Sequence, residues 1–153
     1  QIFRKRFLMI GQGKNIKSMA YVENIISFLA HCIKTDYRYE VFNYSDTPSL
    51  TMNELVSLAN EILHNDNRVG VRLPYWLGLS CGLTADAASW ITRTKLPISR
   101  LRVQKFVASS EFTSSKLDQI EFQPELSLAE GLKLTIINEF IDPSPDRDIF
   151  YTE

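Results

Sequence analysis

Two stretches of the sequence read as strands, YEVFNYSD at residues 39–46 and VGVRLP at 69–74. Tyr39, Val41, Phe42 and Tyr44 favour a pleated surface, and the turn residues SDTPS close the first stretch. Pro74 stops the second. Two strands cannot make a sheet of any size, so a parallel layer here needs neighbours that these 153 residues do not supply. The expectation is a mixed, mostly helical α/β chain, a few strands plus about five helices, cut from something longer.

The helical pattern is clear. Val22, Ile25, Ile26, Leu29, Cys32 and Ile33 share one face of a helix of about three turns, which must pack on something substantial. A second helix starts at Thr51, where Thr51 and Glu54 make a capping box, with Leu55, Leu58, Ala59 and Ile62 inward. YWLGLSCGL and ADAASWITRT are apolar helix candidates, and Pro97 suits the start of another over PISRLRVQKFVAS. TSSKLDQI, near 113–120, reads as a short helix. A last, longer one follows Ser127, whose capping-box partner is Glu130, with a stripe of Leu128, Leu132, Ile136 and Phe140.

Composition excludes several classes. Seventeen basic and 18 acidic residues give a formal charge of −1, so no global field attracts nucleic acid or an anionic membrane. The RKR cluster at 4–6 is too short for a nucleic-acid patch. Cys32 and Cys81 lack zinc spacing and read as buried free thiols of a reducing cytoplasm. No window resembles a signal peptide or a good transmembrane span. His31 and His64 read as structural or solvated.

Gly11, Gln12 and Gly13 invite comparison with a dinucleotide loop. That loop needs a third glycine at the mouth of a helix, and here the place holds Ile16, followed by residues of extended character. GQG is therefore a turn between two short extended segments, FLMI and SMAYV. A Walker loop and a G-x-S-x-G elbow are also absent.

GQGKNIKSMAYVENI, YEVFNYSDTPSLTMNEL, VRLPYWLG and SSEFTSSKLDQIEFQPELSLAEGL, in that order, resemble the C-terminal half of extended short-chain dehydrogenase/reductases, the NAD-dependent nucleotide-sugar epimerases and dehydratases. The resemblance runs from about Phe7 to Ile141. It implies a Rossmann-like parent, with residues 1–141 as the substrate-binding C-terminal region and 142–153 as an acidic, proline-containing tail that frays. Lys17 stands where many members carry an arginine near the substrate diphosphate, Asn24 where many carry Asp, and Glu121 where Gly is usual. The family's glycine loop, catalytic Tyr-x-x-x-Lys and Ser/Thr partner are not in this chain. The resemblance thus implies no catalytic residue and no cofactor bound by this chain alone, with NAD(P) held by an N-terminal domain of the full-length protein.

The candidate substrate-binding residues are Lys17, Asn15, Arg100 and Arg102. Lys17 is either a solvated lysine or a phosphate ligand, and Asn15 either caps the turn or touches substrate. Arg100 and Arg102 are two apart, so at most one faces a site from a helix; surface ion pairing is their other role. Tyr75 to Leu79 either closes over a base or packs in the core. The implied partners are a UDP- or dTDP-sugar, the N-terminal cofactor-binding domain and a possible second copy, in the cytoplasm, with no nucleic acid, no membrane and no metal. The competing expectation is a non-catalytic binding, regulatory or protein-interaction module derived from the same fold.

Overall fold

A computed structural model describes residues 1–35, 37, 39–94, 96 and 98–143. The tail beyond 143, and Pro97, lie outside the described residues. The described residues are mixed α/β, with five α-helices and four two-residue strands. Strand β1 (Met9–Ile10) pairs in parallel with β4 (Arg72–Leu73), Met9 opposite Arg72. Strand β2 (Ile16–Lys17) pairs antiparallel with β3 (Leu50–Thr51), Ile16 opposite Thr51. The two segments flanking GQG thus pair with different partners, not with each other.

Residues 39–46 form no strand, against expectation. A strand is held by ladder bonds, and no described strand pairs with this segment. Its aromatic residues pack through their side chains instead. Phe42 and Tyr44 meet Phe28 at ring-centroid distances of 5.4 and 5.0 Å, and Phe122 joins at 5.3 Å.

Phe28 belongs to helix α1 (Val22–Lys34), which runs as expected but buries a different face. Asn24 and Phe28 are buried, while Val22, Ile26, Leu29 and Ile33 are exposed. The predicted inner face is therefore largely bare within these residues. Asn24, 1% exposed, donates to Asp46 Oδ1 at 3.1 Å and to Leu126 O at 2.8 Å, and accepts from Leu126 N. Asp46, 2% exposed, also accepts from Tyr21 N at 2.6 Å and from the Tyr44 hydroxyl at 3.0 Å. A buried carboxylate needs such partners. Burial first, then the Asp46 carboxylate, raises the Tyr44 phenol above its ordinary value.

Helix α2 (Met52–His64) buries Met52, Val56 and Ala59, and Leu55 is half-buried beside them. Met9 completes this core from β1, with Phe7 and Phe106 packed around it. The two apolar candidates after Pro74 are one continuous helix, α3 (Tyr75–Thr92). Helix α4 (Arg100–Val107) starts later than Pro97 implied, because Ser99 caps it by accepting from Arg102 N. The helices α3 and α4 approach closely at Gly82, where a Cβ would lie 2.8 Å from the Arg100 backbone nitrogen. TSSKLDQI shrinks to a 3₁₀ turn at Leu117–Gln119. Helix α5 (Leu128–Ile136) buries Leu128 and Ile136 and widens into a π-helical turn at Ile137–Ile141, where Phe140 stacks on Phe3 at 5.3 Å. Cys32 is half-buried and Cys81 exposed; both are free thiols, so neither is buried as expected. No described helix is long and apolar enough to cross a membrane.

Both capping boxes form, at Thr51/Glu54 and Ser127/Glu130. The Thr51 amide and then its hydroxyl hold the Glu54 carboxyl below its ordinary value; the Ser127 hydroxyl and then its amide do the same for Glu130. A carboxyl depressed in the folded state stabilises fully above its unfolded pKa, and that contribution is lost as pH falls through the folded value. Thr51→Ala and Ser127→Ala should each cost about 1 kcal/mol near neutral pH. The double variant should also lose less stability on acidification than the parent. Parallel curves of Tm against pH would contradict this.

Candidate functional site

A strap of residues 11–18 organises the only parallel strand pair among the described residues. Gly11 and Gly13 take positive φ, 78° and 68°. Gly11 N donates to Leu73 O at 2.9 Å, and Gly13 O accepts from Asn53 N at 2.9 Å. The Gln12 carbonyl takes two donors, Arg72 Nη1 at 2.8 Å and Asn53 Nδ2 at 3.0 Å. A Cβ at Gly13 would collide with the Asn53 amide. The glycines therefore serve a tight, clasped turn. Ile16 lies in β2, not at a helix mouth, so the loop does not fit a dinucleotide pyrophosphate.

The next residues of the strap grip the end of α4. Asn15 Nδ2 donates to Phe106 O at 2.9 Å, and Lys17 Nζ donates to Lys105 O at 3.1 Å and Ala108 O at 2.6 Å. These carbonyls lie at a helix C-terminus, where a cation and an amide donor fit best. Ile16 N donates to Ser109 Oγ, and Ser110 N to Ile16 O. Asn15 and Lys17 are thus brought together at one end of α4. Arg100 and Arg102 sit in its first turn, roughly 10 Å away by helix rise, outside the cleft described next.

That cleft, about 570 Å³, opens outside the carboxyl ends of β1 and β4. Ends of parallel strands are where α/β proteins hold ligands. Its wall runs from Ile10 through the strap to Asn15, then Arg72 to Tyr75, with Val107 behind. Lys14 and Arg72 contribute cations, Tyr75 a ring, and no Asp or Glu lines it. Arg72 has five N–H donors; Gln12 O and Asn53 Oδ1 take two, which leaves three directed elsewhere. Among the described residues the lining holds no His, Cys, Asp or Glu; Lys14, Arg72 and Tyr75 are its ionisable groups. Such a lining has the charge and the apolar surface to suit an anion beside an apolar group. Among the described residues no group of three His, Cys, Asp or Glu could hold a metal.

A larger hollow of about 820 Å³ between residues 2–7 and 60–72 is less suited to a ligand. It shares Arg72 with the cleft, but its Arg68 guanidinium pairs with Asp66 at 2.9 Å, a carboxylate in the lining, and His64 Nε2 bonds Ile2 O at 3.0 Å.

Arg72, Lys14 and Asn53 were not singled out by sequence. A usable signal existed for Arg72, a lone cation between Val71 and Leu73 at the end of a strand. Asn53 carried none, because its role depends on the turn it fills.

The whole chain is similar to N-acetyl-α-D-glucosaminyl-diphospho-ditrans,octacis-undecaprenol 4-epimerase of Escherichia coli O157:H7. The two are 39% identical over 154 residues, covering 100% of this chain and 46% of that protein. It is also 25% identical over 144 residues to the uncharacterized protein y4nL of Sinorhizobium fredii (strain NBRC 101917 / NGR234), covering 86% of this chain and 38% of that one. The chain spans less than half the length of these curated relatives. No family model matches it.

The clasp yields a direct expectation. Lys17→Met removes the ammonium from the Lys105 and Ala108 carbonyls, leaving Ala108 O the 3.5 Å bond from Asn15 Nδ2, and should lower stability by about 1 kcal/mol. An unchanged Tm would show that the clasp contributes nothing.

Proposed function

We propose that this chain is the substrate-binding half of an extended short-chain dehydrogenase-type epimerase whose substrate is a sugar held through a diphosphate. The observation that carries the reading is the full-length similarity to an epimerase of a diphosphate-linked N-acetylglucosamine, over only 46% of that protein. The rest of such a protein would supply NAD(P) and the catalytic Tyr and Lys. The segment 39–46, strand-like in sequence yet unpaired here, and the bare face of α1 both suit a surface that a cofactor domain covers.

In this reading the chain's own residues bind and orient. Arg72, anchored by Gln12 and Asn53, offers its remaining donors to diphosphate oxygens, and Lys14 adds charge. Tyr75 gives the sugar or its neighbour an apolar wall. Lys17 acts from behind, fixing the strap to α4, and Asn15, at the edge of the wall, shares that anchor. The carrier beyond the diphosphate is either a nucleoside or, as in the relative's name, a polyprenol.

The test is turnover by the longer protein that contains this chain. UDP-N-acetylglucosamine and N-acetylglucosaminyl-diphospho-polyprenol are offered separately, with inversion at C4 followed by NMR. One of the two should be converted, and Arg72→Ala should weaken binding of that substrate roughly tenfold or more. If the longer protein neither binds nor converts either substrate, the reading is overturned.

A further inference from the structure

Helix α3 has an outer face that no described part of the chain covers. Trp76, Leu83, Ala87 and Trp90 are spaced by seven, four and three residues and fall on one side. Trp76 is 67% and Trp90 84% exposed, and Leu83 and Ile91 are exposed beside them. The opposite side uses Gly78 and Gly82 to admit Ile10 and the start of α4. Asp86, the helix's one charged residue, accepts the Arg100 amide at 3.0 Å and is exposed at the edge of this face, four residues before Trp90. The rest of the outer face is uncharged, an arrangement that calls for a cover.

The sequence that follows is rich in cations. Between Asp86 and Glu111, residues 87–110 hold Arg93, Lys95, Arg100, Arg102 and Lys105 and no acid, in a chain whose formal charge is −1, although Lys95 lies outside the described residues. Arg93 and Arg100 are exposed, among exposed Leu96, Ile98 and Leu101. Tryptophans at both ends of an apolar helix face, beside a run of cations, match the boundary between lipid headgroups and acyl chains. The bare face of α1 differs, being aliphatic and without tryptophan.

We infer that the α3 outer face and the basic segment after it dock in the plane of an anionic bilayer surface. The chain-wide charge balance hides this, because its cations are segregated. The inference holds independently of the epimerase reading, although a polyprenol-linked substrate would be met at that same surface.

Both tryptophans of the chain lie on α3, so their emission reports this face alone. The 153-residue chain is mixed with phosphatidylcholine vesicles, with and without phosphatidylglycerol. The expected result is a blue shift, with quenching by brominated acyl chains, on the anionic vesicles and its reversal by high salt. In co-sedimentation, Arg93→Gln with Arg100→Gln should lower partitioning about tenfold or more. Trp76→Ser with Trp90→Ser should lower it similarly. These side chains are exposed, so the variants should fold. Absence of partitioning, equal partitioning to neutral vesicles, or a blue shift that appears with protein concentration alone would each overturn the inference. The vesicles contain no sugar diphosphate, so failure here and failure of the proposed activity are separate results.

Discussion

The clasp of Lys17 and Asn15 on the last carbonyls of α4 is the interaction on which the rest of the structure depends. A helix end leaves carbonyls without partners, and here an ammonium and an amide from a distant strap satisfy them. The same strap pairs with Leu50–Thr51, and its Asn15 carbonyl accepts from Met52 N at the start of α2. One short segment thus joins the start of one helix to the end of another. It works beside the packing of Phe106 of α4 on the Met9–Val56 core and of Gly78 of α3 on Ile10.

The clasp also decides what the candidate site can be. It draws Lys17 behind the cleft and leaves the front to Lys14, Arg72 and Tyr75. The glycine turn contributes shape, with its carbonyls already bonded to Asn53 and Arg72. The cleft offers positive charge from Lys14 and Arg72 beside an apolar wall and the Tyr75 ring.

The sequence disclosed the local structure well and the burial less well. Both capping boxes were legible because Thr51, Glu54, Ser127 and Glu130 act within one turn. The turn at GQG was legible from a missing third glycine. The strand at 39–46 was not, because a strand exists only with a neighbour, and its aromatic side chains found Phe28 instead. On α1 the apolar periodicity marked a face that stays bare, while a buried Asn24 met Asp46 and Leu126 from far along the chain. At the site, Asn15 and Lys17 were visible as candidates, but their helix-capping geometry depends on residues about 90 positions away. Arg72 acquires meaning only when β1 and β4 pair.

The central claim is that the cleft at the ends of β1 and β4 receives a sugar diphosphate. Chemical-shift mapping of the nitrogen-labelled chain with UDP-N-acetylglucosamine and with inorganic pyrophosphate tests it most directly. The largest shifts should fall on Gly11 to Asn15 and Arg72 to Tyr75. Shifts confined to the hollow beside Arg68 and His64, or no shifts at saturating ligand, would contradict it.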